Sequence, residues 1–81
     1  MITELTTVNK VVGAKQTRRA LKNGKATKIF IAMDADPKLL QPMVQEAVHK
    51  GVRIEQVETM KKLGEICGIS IGAAIVAVVS Q

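Results

Sequence analysis

Three side chains near the start of the chain, Lys15, Gln16 and Arg19, have the types and spacing to read the edge of a nucleobase. A primary amide offers an acceptor and a donor together, while Lys and Arg donate to the O6 and N7 atoms of guanine. Positions 16 and 19 are three apart and so share a helix face. Gly13 stands just ahead of them, where a strand around Val11 and Val12 gives way to a helix. The tip of such a helix presents unpaired N–H groups and partial positive charge, which suit an anionic backbone.

No other set of residues supports chemistry as well. No Gly-x-Gly-x-x-Gly follows a strand, and Gly24-Lys25 lacks the upstream glycine and the following Ser or Thr of a phosphate loop. His49 is the only histidine and falls in the last turn of a helix, where it complements the dipole. Cys67 is the only cysteine, so no disulfide or zinc cluster can form within one chain. It reads as a small core residue in a protein of the reducing cytoplasm. Asp34 and Asp36 resemble a carboxylate pair, but helix capping accounts for Asp36-Pro37. Gly64, Gly68 and Gly72, spaced by four, read as turn or close-packing positions. No enzymatic activity, metal or cofactor is expected.

The charge pattern agrees with an anionic partner. The 81 residues carry a formal net charge of +5. Seven basic residues and no acidic one lie between Leu5 and Met33, whereas Asp34 to Glu58 holds three basic and five acidic residues. One window thus carries the excess, as a phosphate-facing surface would, and as a solvated lysine-rich helix face also would. Phe30 is the only aromatic residue, which counts against a stacking platform for single-stranded bases. The N-terminus MITELTTVNK is not expected to be a signal peptide. The longest apolar stretch, Gly68–Val79, falls short of the ~18–20 residues of a membrane span.

The elements that must position these residues alternate. Ile2–Val8 reads as a short helix capped by Thr3, Lys10–Gly13 as a strand, and Lys15–Asn23 as a helix with Thr17, Ala20 and Leu21 inward and Arg18, Arg19 and Lys22 outward. Lys28–Met33 reads as a buried strand. A helix capped by Asp36 runs to Lys50, with Leu39, Leu40, Met43, Val44, Ala47 and Val48 as its apolar positions. Val52–Val57 alternates as a third strand, Thr59–Cys67 is a short helix with Leu63, Ile66 and Cys67 inward, and Ala73–Val79 is a fourth strand. The pattern predicts one α/β domain spanning residues 1–81, with a sheet covered on both sides.

Four segments carry a resemblance to a known family: Gly13-Ala-Lys15-Gln16-Thr-Arg-Arg19-Ala-Leu, Ala32-Met-Asp34-Ala-Asp36-Pro37, Met60-Lys61-Lys62-Leu63-Gly64, and Cys67-Gly68-Ile69-Ser70-Ile71-Gly72-Ala73-Ala74. In this order and spacing they resemble the kink-turn RNA-binding ribosomal proteins of the archaeal L-seven-A-e and eukaryotic thirty-e type, most nearly the small bacterial members. The resemblance covers nearly the whole chain. It implies a three-layer α/β/α sandwich with a four-stranded mixed sheet. It also implies recognition of the kink-turn, an RNA bend closed by tandem sheared G·A pairs. The family's Gly-x-Asn-Glu-x-x-Lys pattern falls on Gly13, Lys15, Gln16 and Arg19, with Lys and Gln standing where archaeal members have Asn and Glu.

The family's loop before the last strand, which lies against a nucleotide flipped out of the bend, falls on Ile69, Ser70, Ile71, Gly72 and Ala73. Either isoleucine could equally be core, and one of the two is expected there. Arg18, Lys22, Lys61 and Lys62 are further candidates for RNA contact, and Lys22 and Lys25 for uniform attraction to phosphate. The expected partner is a structured RNA, ribosomal or riboswitch, bound by a monomer without a membrane. A protein-docking module using the outer face of the long helix, at Lys38, Gln41, Gln45 and Glu46, is the alternative.

Overall fold

The computed structural model describes residues 9–80, so the helix expected over Ile2–Val8 lies outside the described residues. Four strands and three helices alternate: β1 Lys10–Val12, α1 Ala14–Lys22, β2 Ala26–Ala32, α2 Pro37–His49, β3 Arg53–Val57, α3 Met60–Ile66 and β4 Ile75–Val79. The strands form one sheet in the order β1-β4-β2-β3. β4 is antiparallel to both β1 and β2, and β2 is parallel to β3. The fold is the expected α/β/α sandwich on a mixed sheet.

Local chemistry sets the element ends. Asp36 caps α2 by accepting a hydrogen bond from the Lys38 backbone N–H at 2.9 Å, with Pro37 at the first helical position. Thr59 caps α3 through the Lys62 N–H at 3.0 Å, so it precedes the helix rather than opening it. β2 begins two residues earlier than its apolar run suggests, because Ala26 and Lys28 pair with β4 across a register shift. β4 begins two residues later, because Ala73 bonds the Met60 carbonyl of α3 instead of a strand.

The core is aliphatic around Phe30. Ile29, Phe30, Ile75, Val76 and Leu63 are fully buried, and Leu21 of α1 and Met43 of α2 close it from the helices. Thr17, Ala20 and Leu21 face inward as their spacing predicts. In α2 only part of the apolar set does so: Leu40, Met43 and Ala47 are buried, while Leu39 and Val48 are exposed at 37% and 66%. They lie about 100° round the helix from Leu40 and Ala47, past the reach of the sheet.

The topology gathers the connections. β1, β2 and β3 run in one direction and β4 against them. The turn after β1, the loops after β2 and β3, and the loop before β4 therefore lie at one end of the sheet.

Candidate nucleic-acid interface

Gly13 ends β1 and caps α1 with φ 103° and ψ 159°, a backbone region open essentially to glycine alone. Its N–H donates to the Ile75 carbonyl at 2.9 Å, and its carbonyl accepts from Thr17 N–H at 3.0 Å. This conformation turns the chain from strand to helix in one residue. No side chain caps α1, whose first turn carries no acidic residue. α2 and α3 both have side-chain caps. The N–H groups of Ala14, Lys15 and Gln16 lack intrahelical acceptors and lie at the positive end of the helix dipole.

Lys15, Gln16, Arg18, Arg19 and Lys22 are all exposed. At 100° per residue, Lys15, Arg19 and Lys22 form the outward ridge of α1. Gln16 and Arg19 line one flank of the helix, in a groove that also touches Val11 and Val79. Arg18 and Lys22 line the opposite flank, beside Pro42 and Glu46 of α2. The structure thus brings Gln16 and Arg19 together and separates them from Arg18.

The loop before β4 stands beside this helix tip, because the Gly13 N–H bonds Ile75 at the start of β4. Further bonds tie the loop to α3: Ala73 N–H to the Met60 carbonyl and Ile69 N–H to the Gly64 carbonyl, both at 3.0 Å. Ile69 is half-buried against the core and Ile71 is 72% exposed, so one isoleucine packs and the other faces solvent. Ser70 and Gly72 are exposed, and Gly72 lies over Met60, leaving little room for a side chain. Lys61 and Lys62 are exposed on the first turn of α3.

Asp34 has a role that its spacing did not reveal. Its Oδ1 accepts the Met60 N–H at 2.8 Å, so the loop after β2 caps the start of α3. Asp36 and Glu58 lie in the same loops after β2 and β3, with Lys61 and Lys62 next to them on α3. A groove of about 410 Å³ beside α2, including Met33, Leu40 and Val44, is lined by no titratable side chain. Among the described residues no cluster of three His, Cys, Asp or Glu could hold a metal. No helix there is long and apolar enough to cross a membrane.

These features define a small α/β/α domain with a cationic helix tip beside an apolar loop at one end of the sheet. The chain belongs to the ribosomal protein L7Ae/L30e/S12e/Gadd45 family, whose model matches residues 4–81. It is 48% identical over 69 residues to an RNA-binding protein of Geobacillus sp. (strain WCH70), covering 85% of this chain and 84% of that one. It is 33% identical over 69 residues to the large ribosomal subunit protein eL8 of Halobacterium salinarum, covering 84% of this chain and 58% of the other. Among solved structures, a 15.5 kD RNA-binding protein of Giardia lamblia superposes with a TM-score of 0.82 at 25% identity. That match covers 89% of this chain and 61% of the Giardia chain, so the present chain spans less than two thirds of it.

Proposed function

We propose that this protein is a non-enzymatic, cytoplasmic RNA-binding protein that recognises the kink-turn and holds RNA in its bent form. The observation that carries this reading is the juxtaposition of two surfaces across the Gly13–Ile75 hydrogen bond. On one side is a helix tip without a side-chain cap, with Lys15, Gln16 and Arg19 exposed; on the other is a loop that offers Ile71 to solvent. The Geobacillus and Giardia relatives are both named RNA-binding proteins, which supports RNA as the partner.

The mechanism is a population shift. An RNA that samples extended and bent forms is drawn to the bent one by the protein's greater affinity for it. Gln16 and Arg19 face the edges of the non-Watson–Crick purine pairs, and the open N–H groups of α1 meet phosphate. Ile71 supplies apolar contact to the extruded nucleotide, so no aromatic platform is needed.

The test is binding of a kink-turn hairpin and a straight duplex of equal length. Gln16→Ala and Arg19→Ala should each cost about 1–3 kcal/mol on the hairpin and weaken discrimination against altered G·A pairs. Equal affinity of the unmodified protein for both RNAs would overturn the reading. A protein-docking module on the outer face of α2, at Lys38, Gln41, Gln45 and Glu46, would then be the better reading.

A further inference from the structure

The flank of α1 that carries Gln16 and Arg19 continues beyond them. Asn23 follows at the same helical spacing, seven residues after Gln16 and four after Arg19, and Lys25 projects from the turn behind it. Together they rim a groove of about 180 Å³ with Val11, Ala20 and Val79 along it, and no acidic residue lines it. Asn23 and Lys25 serve the fold through their backbones: their N–H groups donate to the Arg19 and Ala20 carbonyls, both at 3.0 Å. Their exposed side chains take no part in those bonds.

We infer that this groove is a second RNA contact, in which Asn23 and Lys25 hold the phosphodiester backbone of the helical stem that leads away from the bend. The inference rests on the kink-turn reading and extends its footprint from the tip of α1 to its base. Two observations select RNA as the occupant. The groove shares Gln16 and Arg19 with the proposed reading head, so one strand can pass from one to the other without leaving the surface. Its charged rim is purely cationic, which complements phosphate. Seven residues of helix span about 10 Å, the length of roughly three to four stacked pairs of an A-form RNA stem. A stem of four or more pairs laid along α1 therefore reaches Asn23 and Lys25, and one of two pairs does not. An amide and an ammonium at the far end suit backbone oxygens, so this contact adds affinity without sequence preference.

The experiment uses the full chain and two kink-turn hairpins that differ only in that stem, about two pairs against about eight, read by fluorescence anisotropy across a salt series. Combining Asn23→Ala with Lys25→Ala should weaken binding about three- to tenfold on the long-stem RNA, leave the short-stem RNA unchanged, and make the salt slope shallower by roughly one unit. Lys25→Glu should deepen the loss on the long stem alone. If the unmodified protein prefers kinked to straight RNA but the double variant binds both hairpins as before, the groove contact is wrong and the kink-turn reading stands. An equal loss on both stems would place Asn23 and Lys25 in the reading head and overturn the inference in another way. If the unmodified protein shows no preference for kinked RNA, both proposals fall.

Discussion

The Ile71 carbonyl oxygen occupies the space that a side chain on residue 64 would take. Gly64 lies inside α3, and its own carbonyl accepts the Ile69 N–H, so helix and loop are locked together at a point where only a hydrogen fits. In an ordinary helix interior, Gly→Ala gains about 1 kcal/mol from backbone propensity. Here the added methyl meets backbone, which cannot rotate away. Gly64→Ala should therefore destabilise the protein by about 1–3 kcal/mol, seen as a lower urea midpoint. The loop that carries Ile71 should shift with it, so kink-turn affinity should fall while affinity for a straight duplex does not. A stabilised variant would show that the loop can yield.

A second tie crosses between the helices. Lys50, at the C-terminal end of α2, donates from Nζ to the Leu21 carbonyl at 2.6 Å and pairs with Glu46 at 3.2 Å. It thus adds a second donor to a carbonyl in the last turn of α1 that also accepts the Gly24 N–H at 3.2 Å, at the end of the helix where the dipole favours a cation. The surface ion pair adds little, so the carbonyl bond carries most of the effect. Lys50→Met should lower stability by about 1 kcal/mol in urea unfolding, and Glu46→Gln should leave it nearly unchanged. Equal losses from the two substitutions would mean that the ion pair matters more than the carbonyl.

How much of this was legible depends on the reach of each interaction. Asp36-Pro37, the Thr17, Ala20 and Leu21 face and the exposure of Lys15, Gln16 and Arg19 depend on neighbours within a turn, so spacing alone predicts them. Asp34 bonds an N–H 26 residues away, Lys50 bonds a carbonyl 29 residues away, and Gly64 meets Ile71 only once the loop folds back. No local pattern encodes such partners. The separation of Arg18 from Gln16 was readable in principle, since 160° divides them on a helical wheel. Asn23 was likewise visible as the next position on the Gln16 and Arg19 flank.

Thr17 is wholly buried in α1, and its Oγ1 has no hydrogen-bond partner among the described residues. Helix propensity barely separates Thr from Val, so the hydroxyl decides the outcome. Thr17→Val removes a desolvated donor while keeping the branched shape. Stability should rise by about 1 kcal/mol, measured as a higher urea midpoint at unchanged slope. RNA affinity should not change, since the side chain faces away from the exposed ridge. A loss of stability would reveal that the hydroxyl is satisfied after all.

Cys67, buried at the end of α3, should make stability fall at alkaline pH. Burial pushes its thiol above the ordinary value, and the positive charge of Lys10 opposes this more weakly. In the unfolded chain the thiol ionises near pH ~8.5, whereas the folded protein keeps it protonated to higher pH. Between those two values the unfolded state binds fewer protons than the folded one, so raising the pH favours unfolding. The stability that the neutral thiol contributes is complete below the unfolded value and is lost as pH climbs through the folded one. Urea midpoints at pH ~7 and pH ~10 should therefore drop further for the unmodified protein than for Cys67→Ala, since the lysines common to both cancel in the comparison. The same burial predicts slow alkylation of the native protein by iodoacetamide at pH ~8, with rapid labelling once urea unfolds it. Equal pH dependence in the two proteins, together with fast native labelling, would show that the thiol ionises freely in the fold.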